Sequence, residues 1–270
     1  MNSRYLTVVA LLAAGVASVL SLIVGPGADY ARIFPPPWLG LVAAALAAAS
    51  VTVRCGRSGF GWAATAVFFG ASGGVILDVF RAFFAVTGIP AGEFSTVDWP
   101  GAVSRAIYLV AAFATVLFTS QSARPPVRAG GRRMLAWGGV VLSVPYPLLK
   151  FFWWMQGHAS VGFPIMELVS FGAAAIWVVL LTTPAGGRLP RFVLTIGGWL
   201  SSFALLSMGG LMVFGMLSQL TGLASEAVDF GSESASVIVF GVYGCWLALG
   251  VVMLASTLSF TAHRRNEVAV

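Results

Sequence analysis

Long apolar stretches recur along the whole chain and are separated by short polar or basic segments. Most reach the roughly 20 residues that a helix needs to cross a hydrocarbon core about 30 Å thick. Helices are expected because backbone polar groups in lipid must find their hydrogen bonds internally. The pattern predicts an all-α, polytopic transmembrane bundle of eight helices. The predicted spans are Tyr5–Val24, Trp38–Val53, Phe60–Val86, Trp99–Thr119, Met134–Met155, Val161–Leu181, Phe192–Leu217 and Ala235–Phe260.

Two of these spans need comment. The apolar part of the first, Tyr5–Val24, exceeds the 7–15 residues of a signal-peptide core, so we expect an uncleaved helix. The second, Trp38–Val53, is short unless the preceding Pro35–Pro37 segment lies in the interface.

Composition agrees with a membrane protein. Hydrophobic residues make up 59% of the chain and charged residues 9%, whereas soluble domains carry about 25% charged residues. A soluble protein with this composition would have too few charged residues to cover its surface. The net charge of +6 does not indicate nucleic-acid binding, because the basic residues lie in short clusters between apolar stretches.

The basic residues also predict an orientation. The termini and alternate loops on one side carry eleven arginines, whereas the opposite loops carry only Arg32 and six acidic residues. Basic loops face the cytoplasm. We therefore expect a multi-pass plasma-membrane protein with cytoplasmic termini and four outward-pointing helical hairpins. The eleven are Arg4, Arg54, Arg57, Arg124, Arg128, Arg132, Arg133, Arg188, Arg191, Arg264 and Arg265.

A weak repeat runs through the chain. The third, fifth and seventh spans end in RAFFAVTG, KFFWWMQG and GMLSQLTG, and the first two copies share a cation, aromatic residues and a final glycine. We expect one transmembrane domain over 1–270, in which a basic cytoplasmic loop (122–132) joins candidate repeated halves, 1–121 and 133–262. Internal repeats are common in transporters.

Five charged residues fall inside predicted spans. Arg81, Arg105, Lys150 and Glu167 each lie roughly 9–10 Å from the outer end of a helix, by a rise of 1.5 Å per residue. Asp78 lies one turn deeper, where an unpaired carboxylate would be costly. Tyr146 is four residues from Lys150 and is within reach of its ammonium.

Three interpretations of this charged layer stay open. It locks helices together as ion pairs, or it lines an outward-facing pocket for a small anionic or zwitterionic ligand. Alternatively, the arginines and Lys150 extend separately to the interface. Three cations against two carboxylates favour a ligand with a negative group.

The sequence offers no catalytic, metal or cofactor motif. His158 and His263 have no cysteine or carboxylate at ligand spacing. Phosphate-binding loops, zinc-protease motifs and nucleophile elbows are absent from the sequence. We therefore predict no catalytic residues, no metal and no cofactor, and we do not favour an enzyme.

The segment LLKFFWWMQG, followed by GFP, resembles a motif of uncharacterised actinobacterial multi-pass membrane proteins. Those proteins carry an aromatic-Trp-x-x-Gly element after an outward helix. The lysine-poor, Ala-, Gly- and Arg-rich composition is similar to that of high-GC actinobacterial proteins. The resemblance implies a bacterial plasma membrane and brings no activity with it.

Three functional classes follow. The first is a carrier or binding protein for the small ligand. The second is an intramembrane enzyme acting on a lipid or isoprenoid, with Asp78 or Glu167 as acid or base. The third is a non-catalytic subunit whose charges pair with a partner helix, in a membrane complex or homo-oligomer. The repeat with paired charges favours the carrier, with the lipid bilayer as its surroundings.

The charge bias generates a topology prediction. Reporter fusions at Arg128 and at the C-terminus should be active only as cytoplasmic reporters, and fusions at Glu93 and Ser225 only as external ones. An external C-terminus would contradict the eight-helix arrangement.

Overall fold

The computed structural model describes residues 3–25, 27–28, 31, 34–53, 56–122, 129–157, 162–221 and 233–268. Within these ranges the regular structure is helical and contains no strand, which confirms the predicted all-α class. The α-helices are α1 (Ser3–Val24), α2 (Trp38–Thr52), α3 (Arg57–Ala71), α4 (Val75–Thr87), α5 (Trp99–Ser122), α6 (Ala129–Leu142), α7 (Pro145–Met155), α8 (Ile165–Thr182), α9 (Arg191–Leu220) and α10 (Glu233–Val268). Short 3₁₀ turns occupy Gly92–Ser95 and Pro184–Arg188.

Seven helical segments of the described chain are long and apolar enough to cross a membrane. They fit an integral, multi-pass membrane protein. The one predicted span outside these seven is the second, Trp38–Val53, which corresponds to α2 and has only 15 helical residues. At 1.5 Å per residue, α2 is about 22 Å long, shorter than a core of about 30 Å. The count of eight spans stays a prediction.

The third predicted span is interrupted rather than continuous. It consists of α3 and α4, separated by the buried segment 72–74. The Ser72 hydroxyl donates a 2.9 Å hydrogen bond to the Phe69 carbonyl. Gly74 then adopts φ +94°, a conformation that glycine tolerates and other residues disfavour. Asp78 consequently lies in the first turn of a new helix, near the positive end of its dipole.

The fifth predicted span is also interrupted, but without a left-handed residue, since Val144 keeps right-handed helical angles before Pro145. Here α6 ends at Leu142 and α7 begins at Pro145. The Ser143 hydroxyl donates a 2.7 Å hydrogen bond to the carbonyl three residues earlier. Both second segments, α4 and α7, carry the cation of the repeat seven residues before a glycine with positive φ, Gly88 and Gly157. The third copy of the repeat lies on α9, which continues without a break through residues 191–220.

The chain forms two compact units. Unit 1 contains residues 1–124 and 210–227, and unit 2 contains 125–209 and 228–270. In unit 1, helices α1, α2, α3 and α5 pack against one another. Many of their buried residues are alanines, such as Ala14, Ala43 and Ala64, and small residues let membrane helices approach closely. The Ser18 and Tyr108 hydroxyls hydrogen-bond between α1 and α5 at 2.9 Å.

Unit 2 is built on α6, α8 and α10, which pack in pairs. Its core contains Val178, Leu181, Leu194 and Met253. A Cβ on Gly139 would lie 2.6 Å from Val178. The absence of a side chain at Gly139 therefore lets α6 and α8 approach closely.

The interruption generates a stability prediction. An alanine at position 74 would strain the backbone, and its Cβ would lie 2.8 Å from the Phe34 ring. The left-handed conformation costs a non-glycine residue about 1–2 kcal/mol. Gly74→Ala should therefore lower the melting temperature of the detergent-purified protein. Gly15→Ala, in open space on α1, is the control and should be neutral or stabilising. Equal melting temperatures for the two variants would show that the break does not need glycine.

Candidate functional site

A buried ion pair connects α4 to α5 in unit 1. Nε of Arg105 donates to Oδ2 of Asp78 at 2.6 Å, and Nη2 donates to Oδ1 at 3.0 Å. The two residues are 7% and 3% exposed. Bidentate pairs of this kind fix both side chains in one geometry and are among the strongest charged hydrogen bonds. The ion pair thus joins the first turn of α4, directly after the break, to α5.

Asp98 adds a second carboxylate to this pair. Nη2 of Arg105 lies 3.4 Å from its Oδ2. Its Oδ1 accepts hydrogen bonds from the backbone amides of Gly27 (3.0 Å) and Gly101 (3.2 Å). The Gly101 bond is that of an N-cap, because Asp98 directly precedes α5. Asp98 is only 1% exposed, so it lies inside unit 1 and not in an exposed loop.

Glycines make room for the Asp98 carboxylate. A Cβ on Gly27 would lie 2.9 Å from Oδ1 of Asp98, and a Cβ on Gly101 would lie 2.8 Å from Nη1 of Arg105. Either addition would push against a charged group that has little freedom to move. Asp78, Asp98 and Arg105, called here the charged triad, therefore require residues without a side chain at positions 27 and 101.

The Phe34 ring packs beneath the guanidinium. Cζ of Arg105 lies 4.5 Å from the ring centroid, within cation–π range. The same ring contacts the Gly74 break and clusters with Ala31, Leu77 and Leu211. The aromatic ring thus places the arginine relative to the interrupted helix.

A cavity of about 370 Å³ adjoins the charged triad, within the usual size range of small-molecule sites. It carries carboxylate, guanidinium and hydroxyl groups beside apolar surface. Its lining includes Ser21, Phe34, Pro35–Pro37, Asp98, Ser104, Arg105 and Tyr108. Prolines supply no backbone donor, so the side chains provide much of the polar recognition.

Arg105 keeps one nitrogen for further bonding. Its Nε and Nη2 serve the two carboxylates. Among the described residues, Nη1 has no hydrogen-bond partner. A guanidinium offers five N–H donors, so the two N–H groups of Nη1 are available beyond the ion pair.

Arg81 points to a different part of unit 1. Its Nη1 donates to the carbonyls of Glu93 (3.0 Å) and Thr96 (3.2 Å), and its Cζ lies 4.4 Å from the Phe94 ring centroid. Arg81 is three residues from Asp78 and acts on it electrostatically, but the hydrogen bonds to the Asp78 carboxylate come from Arg105. Arg81 fastens the 3₁₀ turn between α4 and α5.

The remaining predicted site residues, Lys150, Tyr146 and Glu167, belong to unit 2. Nζ of Lys150 lies 5.8 Å from the Tyr146 ring centroid and 5.5 Å from that of Trp153, so aromatic faces stabilise its charge. Tyr146 also packs edge-on against Trp246, with centroids 4.6 Å apart. Glu167, in the first turn of α8, forms no ion pair with Lys150 among the described residues.

Asp98 is not among the site residues predicted from the sequence, because it precedes the predicted span Trp99–Thr119 and was counted with the acidic residues of the outer loops. A local signal was present: an aspartate before Trp-Pro-Gly has the form of an N-cap followed by a proline in the first helical turn. The missed break had a signal too, in the Ser72-Gly73-Gly74 run.

The described residues contain no group of three histidine, cysteine or carboxylate side chains that could hold a metal. The two triad carboxylates instead share one guanidinium. The candidate site therefore consists of the charged triad and the cavity beside it. Comparison with family models, curated proteins and solved structures finds no match to this chain.

Proposed function

We propose that the protein is a membrane carrier that binds a zwitterionic polar group in the cavity of unit 1. The interrupted span carries this proposal. Carriers commonly form their binding sites where membrane helices are discontinuous, at corresponding positions of repeated segments. Here the break at 72–74 lies one turn before Asp78, and a matching break precedes α7.

The charges of the cavity support a zwitterion over a simple anion. The sequence alone, with three cations against two carboxylates, favoured a negative group. With Asp98 included, and with Arg81 acting electrostatically on Asp78, this part of unit 1 holds two carboxylates and two guanidiniums whose formal charges cancel. A site without net charge fits a ligand without net charge, whose anionic group would accept hydrogen bonds from Nη1 of Arg105. The Ser104 and Tyr108 hydroxyls line the same cavity and supply neutral hydrogen bonds.

The eleven-to-one arginine bias supports the orientation that completes this proposal. Both termini are cytoplasmic. The short helix α2 also spans the membrane, which brings the number of spans to eight, and Pro35–Pro37 before it lies in the interface. In this orientation the end of α1 at Val24 and the start of α5 at Trp99 face outward. The charged triad then lies on the outer side of the membrane.

Binding of small zwitterions tests the site. Glycine and phosphoethanolamine should raise the melting temperature of the purified protein, whereas acetate and ethylamine at equal concentration should do so less. Arg105→Lys should abolish the stabilisation, because a lysine lacks the planar fork that serves carboxylate and ligand together. Arg132→Lys is the control, since Arg132 bonds the Thr182 carbonyl in unit 2. No response in the wild type would leave the charged triad a structural lock.

Carrier activity requires that the cavity open to both sides of the membrane. A cysteine at Ser104, in a chain lacking Cys55 and Cys245, should react with a membrane-impermeant thiol reagent from either side of sealed vesicles. Phosphoethanolamine should slow both reactions. Labelling from one side alone would identify a binding protein that does not carry its ligand.

A further inference from the structure

An apolar groove of about 670 Å³ runs between α1 and α5 of unit 1. Its walls are large aliphatic side chains, among them Leu12, Val16, Leu20 and Val103, and more than half of the surface of each is exposed. From Leu12 to Val24 the groove follows α1 over twelve helical rises, about 18 Å. One leaflet of the hydrocarbon core is about 15 Å thick. The groove has the length of one acyl chain.

The groove and the charged cavity meet at a pair of serines. Ser21 and Ser104 line both spaces. Their hydroxyl oxygens are 2.6 Å apart, and both residues are buried. The apolar groove and the polar cavity are therefore adjacent compartments that share this hydroxyl pair in their walls.

The direction of the two compartments matches that of a lipid. The charged cavity lies at the C-terminal end of α1 and the N-terminal end of α5, beside Gly25 and Gly101. The groove extends from there toward Leu12, halfway along α1. A lipid in one leaflet has the same polarity, with its headgroup at the helix ends and its chain toward the bilayer centre.

We propose that the ligand of this site is a phospholipid with an amine in its headgroup. Its phosphate accepts hydrogen bonds from Nη1 of Arg105, and its ammonium lies on the side of the cavity that Asp98 lines. One acyl chain occupies the α1–α5 groove, and the Ser21–Ser104 pair parts where the glycerol passes. This assignment rests on the proposed carrier function and names its substrate class.

The headgroup and chain contributions can be measured separately. The probes are glycerophosphoethanolamine, which has no chains, and dihexanoyl phosphatidylethanolamine, bound to the full-length protein in detergent and followed by calorimetry. The dihexanoyl lipid should bind at least about tenfold more tightly than the chainless probe. It should also bind more tightly than dihexanoyl phosphatidylglycerol, which has no amine. Tighter binding of dihexanoyl phosphatidylglycerol than of dihexanoyl phosphatidylethanolamine would overturn the amine assignment.

Matched variants locate the two contributions. Val103→Trp, which fills the groove, should remove the tenfold advantage of the chains and leave the affinity for the chainless probe unchanged. Val110→Trp is the control: it lies on the same face of α5, is equally exposed (58% against 56% for Val103) and does not line the groove. Arg105→Lys should lower the affinity for both probes.

The outcomes separate this inference from the carrier proposal. If the chainless probe binds and the chains add nothing in the wild type, or their advantage survives Val103→Trp, the lipid assignment fails and the zwitterion site stands. If neither probe binds, the proposed function fails as well. If Val103→Trp only converts a dimer to a monomer, the groove is an interface between two copies of the chain, which also overturns the lipid assignment.

Discussion

Arg105 carries a charge that it cannot lose, because a guanidinium is not deprotonated in proteins. Placed where it is 7% exposed, it imposes a constraint on everything around it, since a buried charge without partners is strongly destabilising. The Asp78 and Asp98 carboxylates meet that constraint from two directions. The position of Asp78 requires a helix that restarts after Gly74, and the position of Asp98 requires α5 to begin at Trp99.

The same constraint connects packing to function. Phe34 lies beneath the guanidinium and against the helix break, so a shift of the ion pair would disturb the turn between α3 and α4. Two carboxylates occupy Nε and Nη2 of Arg105, and Nη1 has no hydrogen-bond partner among the described residues; Arg105 also lines the adjoining cavity. Under the proposed function, a ligand in this cavity would bind the same guanidinium that joins α4 to α5.

The sequence predicted the helical class because apolar length decides it, and the seven long segments carry that signal strongly. It also singled out Asp78 and Arg105, because carboxylates and arginines inside apolar spans need partners. It could not identify which cation Asp78 would bind. Arg81 is closer along the helix, yet its guanidinium bonds the carbonyls of the following turn. That choice depends on the path of the chain after Thr87, which hydrophobic periodicity does not encode. Asp98 was missed for a related reason, since burial of a helix cap depends on tertiary packing. The single layer of charges was inferred from depth alone, and its members belong to two different units.

The most direct measurement is a double-mutant cycle on the ion pair. Asp78→Asn and Arg105→Gln should each destabilise the detergent-purified protein by about 3–5 kcal/mol, because each strands a buried partner. The double variant should lose less than the sum, with a coupling energy toward the upper end of about 0.5–3 kcal/mol. A parallel cycle of Asp78→Asn with Lys150→Gln, whose charge belongs to unit 2, should be additive within about 0.5 kcal/mol. Additive losses for Asp78 and Arg105 as well would contradict the account, because the two charges would then be stabilised independently of each other.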